Sequence, residues 1–149
     1  MREERRIKVL VVDDDQHFRN LATGLLEKCG FEVSSVGTGE EALYWIRNND
    51  IDVAVLDLRL PDFDGNELLR SFKIIRPDLE VIILTGYGTM RSALLAMRED
   101  VFEYLTKPCS TELLAEVICK AAAKKASPMC ARWYNIWAGS ELKEGYSEK

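Results

Sequence analysis

Ile7-Lys8-Val9-Leu10-Val11-Val12-Asp13-Asp14-Asp15 sets a short, β-branched run directly against three carboxylates. A run of this length suits a strand better than a helix. Its near-continuous apolarity marks a strand covered on both faces. A helix is predicted over residues 16–28, with Phe18, Leu21, Leu25 and Leu26 at helical spacing and Gly30 where a helix-terminating glycine belongs. The unit is therefore strand, turn, helix, and it recurs. Residues 31–36 read as a strand. Thr38 can cap the next helix, and Glu41 completes a capping box ahead of Ala42, Leu43 and Ile46. Residues 53–56 form a strand that ends at Asp57, and Pro61-Asp62-Phe63-Asp64-Gly65 is a turn. A helix over 66–75 stops before Pro77. A strand over 79–84 runs into Thr85. It is followed by a helix over 90–98 packed through Ala93, Leu94, Ala96 and Met97. A last strand over 101–105 precedes Lys107-Pro108. The final helix covers 111–125, with Leu113, Leu114, Val117 and Ile118 as its apolar face.

Five strand–helix pairs in strict alternation make an α/β fold, a doubly wound parallel sheet with helices on both faces. The 149 residues fit one domain, and 47% hydrophobic with 30% charged residues is a globular balance and not a disordered one. With 20 basic against 25 acidic side chains the net charge is −5, which argues against direct nucleic-acid or membrane-surface binding. Cys29, Cys109, Cys119 and Cys130 form no C-x-x-C pair and His17 is the only histidine, so the usual zinc sites are excluded. The apolar run behind the charged N-terminus is too short for a signal-peptide core, and no run has the length of a membrane span. A cytoplasmic protein with reduced thiols is expected.

In an open parallel sheet, ligands bind beyond the carboxyl ends of the strands. The residues standing there are Asp13 to Asp15 after the first strand, Asp57 after the third, Thr85 after the fourth and Lys107 after the fifth. On one rim, several carboxylates converge and repel one another. A hard divalent cation offsets that repulsion, and carboxylate oxygens with water suit Mg2+. Lys107 adds a fixed positive charge. Such a set can clamp phosphoryl oxygens while an already ionised carboxylate attacks phosphorus to form an acyl phosphate.

The chain resembles the receiver domain of two-component response regulators. The resemblance rests on Val9-Leu10-Val11-Val12-Asp13-Asp14-Asp15, on Val55-Leu56-Asp57-Leu58-Arg59-Leu60-Pro61-Asp62-Phe63-Asp64-Gly65, on Ile83-Leu84-Thr85-Gly86, and on Phe102-Glu103-Tyr104-Leu105-Thr106-Lys107-Pro108. It implies a flavodoxin-like (βα)5 fold with strand order 2-1-3-4-5. It makes Asp57 the phosphoacceptor, Asp14 the direct Mg2+ ligand, Asp13 a ligand acting largely through water, and the backbone carbonyl of Arg59 the third protein ligand. Lys107 would contact the phosphoryl group ahead of a cis bond to Pro108. Thr85 and Tyr104 would be the switch pair. The domain would be a phosphoacceptor, not an enzyme beyond its own phosphorylation and dephosphorylation. Its partners would be a sensor histidine kinase or phosphotransfer protein, and a downstream protein or an output domain. A homodimer could form through the face of helix four, strand five and helix five. The alternative is a non-phosphorylated interaction domain on the same fold. Asp100-Val101 departs from the family's frequent Gly-Ala: a left-handed turn there costs more without glycine, and Val101 would crowd Tyr104.

Other motifs have weaker claims. Gly37-Thr38-Gly39-Glu40-Glu41-Ala42 satisfies the dinucleotide spacing G-x-G-x-x-A, but on the second strand–helix turn instead of the first, and with two glutamates where a pyrophosphate would sit. A dehalogenase-type phosphatase would need an aspartate at Arg59, and no P-loop run is present. Cys109 lies close to a helix start that could lower its thiol pKa, although an inert cysteine is the plainer reading. The organisation expected is a tail over 1–6, a receiver domain over 7–126, and an extension or linker stub over 127–149 with no output domain. That last segment carries Trp133, Tyr134, Ile136 and Trp137, suited to a partner or dimer contact.

Overall fold

The computed structural model describes residues 6–86 and 90–123. Five strands alternate with five helices: β1 Lys8–Val12, α1 Gln16–Lys28, β2 Glu32–Val36, α2 Gly39–Asn48, β3 Val53–Leu56, α3 Gly65–Ile75, β4 Glu80–Thr85, α4 Met90–Arg98, β5 Glu103–Thr106 and α5 Thr111–Ala123. All strand pairs are parallel and the sheet order is β2-β1-β3-β4-β5, as expected. The chain leaves β1 toward one edge, then returns past it to β3. The crevice at that reversal lies between the ends of β1 and β3.

Alternation along the strands divides the core into two. Val9, Val11, Val53, Val55, Ile82 and Leu84 face α1 and α5. Leu10, Val12, Ala54, Leu56, Val81 and Ile83 face α2, α3 and α4. Local signals set the helix starts. Asp15 caps α1 by accepting from the Phe18 amide, Thr38 caps α2 through the Glu41 amide, and Asp64 caps α3 through the Asn66 amide. Glu41 in turn accepts from the Gly37 amide at 3.1 Å, completing the predicted capping box. Gly30 ends α1 with φ of 99°.

The apolar faces read from spacing need correction. Leu21, Leu94, Met97 and Leu113 are exposed. Helices lying on this sheet touch it through narrow stripes, and small residues let the backbones approach. Ala22 with Leu26 makes the contact from α1, Ala96 from α4, and Ala115, Ala121 and Ala122 with Leu114 and Ile118 from α5. The first, second, fourth and fifth strands also start one or two residues later than predicted, because pairing begins at Lys8, Glu32, Glu80 and Glu103. Residues 124–125 of the predicted last helix, the aromatic tail and the boundary expected after residue 126 lie outside the described residues.

The expected left-handed turn is present. Asp100 has φ of 65° just past α4, where its amide donates to Met97. An L-residue pays a steric cost there, and an aspartate also opposes the negative end of the helix dipole. Asp100→Gly should therefore raise unfolding stability, by up to about 1 kcal/mol. Urea denaturation of the two proteins checks this.

Candidate functional site

Four strand ends build the site. Asp13 follows β1, Asp57 follows β3, Thr85 closes β4 and Lys107 follows β5. Three of them carry the sheet ladder one rung further. The Asp13 amide donates to Val36 at 3.1 Å, the Asp57 amide to Val12 at 2.9 Å, and the Lys107 amide to Thr85 at 2.9 Å. Their side chains are thus aimed by sheet geometry rather than by loop conformation. Asp13 and Asp57 are buried at 2% and 7% exposure, and Thr85 at 0%. Asp14 is exposed at the mouth.

Lys107 joins the two buried carboxylates. Its Nζ donates to Asp13 Oδ2 at 2.5 Å and to Asp57 Oδ2 at 3.2 Å. The Thr85 hydroxyl donates to Asp57 Oδ1 at 2.8 Å, and the Arg59 amide donates to the same oxygen at 3.0 Å. Asp13 Oδ1 accepts from the Asp15 amide at 2.9 Å. Burial pushes the Asp13 carboxyl above its usual range, against the opposing pull of Lys107. Burial disfavours the charged form of Lys107, but the hydrogen bond and charge of Asp13 and the charge of Asp57 outweigh it, so its pKa is raised.

Carboxylate oxygens of Asp13, Asp14 and Asp57 lie within 4.8 Å of one another. Three carboxylates against the one ammonium of Lys107 leave the pocket anionic. Oxygen donors this close, one of them open to solvent, fit a hard divalent cation that keeps part of its water. The bond between Lys107 and Pro108 is cis, as anticipated.

A family profile described as the response regulator receiver domain matches residues 9–119. The chain belongs to the response regulator receiver domain family. Receiver domains are phosphoacceptor signalling domains and not enzymes in the usual sense. The chain is 32% identical over 120 residues to the DNA-binding transcriptional regulator NtrC of Azospirillum brasilense, covering 80% of this chain and 25% of that protein. It thus spans about a quarter of the curated relatives it matches. A CheY-like receiver domain protein from Methanospirillum hungatei superposes with a TM-score of 0.80 at 30% identity, covering 82% of this chain and 98% of that one. The beryllofluoride-activated NtrC4 receiver domain dimer superposes at 0.75 with 33% identity, covering 78% and 97%.

The remaining residues sort as follows. Thr85 and Tyr104 lie on the same face of the sheet: Tyr104 is in register with Ile83, two residues before Thr85, and is half-buried against the core that contains Val101. Arg59 sits in the β3–α3 loop, its side chain exposed. His17 is exposed on α1. Burial pushes the Cys109 thiol up and not down, contrary to the helix-start argument. No helix among the described residues is long and apolar enough to cross a membrane. Two contacts escape sequence reading. Phe18, which spacing assigned only to packing, places its ring 4.4 Å from Lys107 Nζ. Arg19 Nη1 donates to the Asp13 carbonyl at 2.7 Å. A cation four positions beyond the acidic cap of α1 was the available signal for Arg19. Nothing local signals the Phe18 contact, which depends on where β5 lies.

Replacing Lys107 strands two buried carboxylates. Lys107→Met should lower unfolding stability in metal-free buffer by about 2 kcal/mol, less than a fully buried pair would lose because the ammonium is partly solvated. Mg2+ should recover part of that loss, as thermal melts with and without MgCl2 would register.

Proposed function

We propose that the domain accepts a phosphoryl group on Asp57 and relays the change through Thr85 and Tyr104 to a partner surface. The observation that supports this reading is the convergence of Asp13, Asp14, Asp57, Thr85 and Lys107 from four strand ends into one anionic pocket. Asp13, Asp14 and the Arg59 carbonyl, with Asp57, would hold Mg2+. Bound there, the cation would neutralise charge on the phosphoryl oxygens.

The rest of the chemistry falls to the chain's own residues. A carboxylate oxygen of Asp57 attacks phosphorus of a phosphohistidine. The O–P bond forms as the P–N bond breaks, and the imidazole leaves with the bonding pair. No base is needed, since the carboxylate is already ionised. Lys107 offers its ammonium to the incoming charge. Thr85, already donating to Asp57, turns that hydroxyl to a phosphoryl oxygen, and Tyr104 on the same sheet face follows into the space released. The donor would be a sensor histidine kinase or phosphotransfer protein. The recipient would be an output domain or separate protein, reached through the α4–β5–α5 face, which could also pair two copies.

Asp57→Asn should abolish acyl-phosphate formation from a small phosphodonor such as acetyl phosphate, followed by phosphate-affinity gel or intact mass. Uptake at the wild-type level by that variant would overturn the assignment and leave the non-phosphorylated interaction domain as the better reading. Thr85→Ala should retain uptake but lose most of the shift in α4–β5–α5 amide resonances on addition of Mg2+ and beryllofluoride. An unchanged shift would remove Thr85 from the switch.

A further inference from the structure

The G-x-G-x-x-A run at the start of α2 resembles a phosphate cradle in sequence, yet the structure uses it otherwise. The Asp62 carboxylate, from the β3–α3 loop, accepts from the Gly39 amide at 2.9 Å and the Glu40 amide at 3.1 Å. Thr38 takes the Glu41 amide at 3.1 Å, and the Ala42 amide donates to the Thr38 carbonyl at 3.1 Å. Every donor of the first turn is therefore occupied, two of them by a residue more than twenty positions away. Phe63 lies against Gly39 so closely that a Cβ there would fall 2.4 Å from its ring. Arg19 crosses Gly37 in the same way, where a Cβ would fall 2.7 Å from its Nη1. The glycines of the run admit two side chains, not a pyrophosphate.

Phe63 belongs to one loop of the acidic pocket, and Arg19, on α1, is bonded to the other. Arg19 donates to the Asp13 carbonyl, and the Asp13 amide donates to Val36 at the entrance to the same junction. Asp62 and Phe63 form the tip of the loop whose base is the Arg59–Asp64 bridge and whose Arg59 amide bonds Asp57. Residues 36–40 thus touch the β1–α1 loop on one side and the β3–α3 loop on the other.

We propose that Asp62, with Phe63 beside it, is a positioning residue for the divalent-cation site. It docks the β3–α3 loop on the start of α2 and so sets the Arg59 carbonyl against the Asp13–Asp14 loop. This rests on the metal reading given above. The clasp lies outside the pocket and touches no phosphoryl oxygen, so its effect is read in cation affinity. Loss of an outer partner of a metal site weakens binding by about tenfold or more.

Isothermal titration with MgCl2 tests it on the whole chain. Asp62→Ala should weaken Mg2+ binding about tenfold. Thr38→Ala removes a cap from the same helix without touching the loop, so it should lower the melting temperature and leave Mg2+ affinity within a factor of about two. Gly39→Ala favours the helix but displaces Phe63, so it should weaken Mg2+ binding while propensity pulls stability the other way. It also serves if Asp62→Ala does not fold. Wild-type affinity in both loop variants, or equal weakening in Thr38→Ala, overturns the positioning role alone. A wild-type chain that takes up no Mg2+ overturns the metal reading, and this proposal with it.

Discussion

The pocket exists because Lys107 holds two buried carboxylates that would otherwise repel. Asp13 and Asp57 offer oxygens within 4.8 Å of one another. At the effective dielectric that suits protein sites, two unit charges at that separation repel by about 3.5 kcal/mol or more. One ammonium, bonded to both, offsets it, and the Asp15 and Arg59 amides with the Thr85 hydroxyl supply further donors. Asp14 remains at the mouth with its charge uncompensated by this lysine. The pocket is stable enough to form and anionic enough to attract a cation, and both properties follow from a single lysine set among three aspartates.

The sheet keeps this arrangement rigid. The two buried aspartates and the lysine sit one residue beyond paired strands and continue the ladder through their own amides. Rigid placement matters for phosphoryl transfer, in which alignment and charge neutralisation do most of the work. The loops carry what must be more adaptable, and they are tied back at specific points. Arg19 secures the β1–α1 loop and Asp62 secures the β3–α3 loop, both at the entrance to α2. Thr85 has a different place. Fully buried, it donates its hydroxyl to Asp57 and shares the sheet face that carries Tyr104.

Much of this was legible from the residues alone. Five alternations, the Thr38–Glu41 capping box and the Gly30 stop are local features, encoded within a few positions, whereas the left-handed turn at Asp100 was legible only through the family resemblance. The acidic rim was legible for a less local reason: parallel strands bring their carboxyl ends to one edge, so strand-end residues meet whatever their separation in the chain. Helix faces were read less well. Spacing marks which residues could share a face, but Leu21, Leu94, Met97 and Leu113 lie outside the stripe that meets the sheet.

The order of elements, the residues at the strand ends and the caps belong to the sequence itself, because hydrogen bonds between near neighbours and apolar periodicity act before any long-range contact forms. Tertiary structure alone decided that Phe18 lies under Lys107, that Arg19 grips the Asp13 carbonyl, and that Asp62 reaches back to α2 to turn an apparent phosphate motif into a clasp. Such contacts depend on strand order, register and the angle at which each helix crosses the sheet. Those are properties of the assembled chain, set by the packing of two cores and not by any stretch of it.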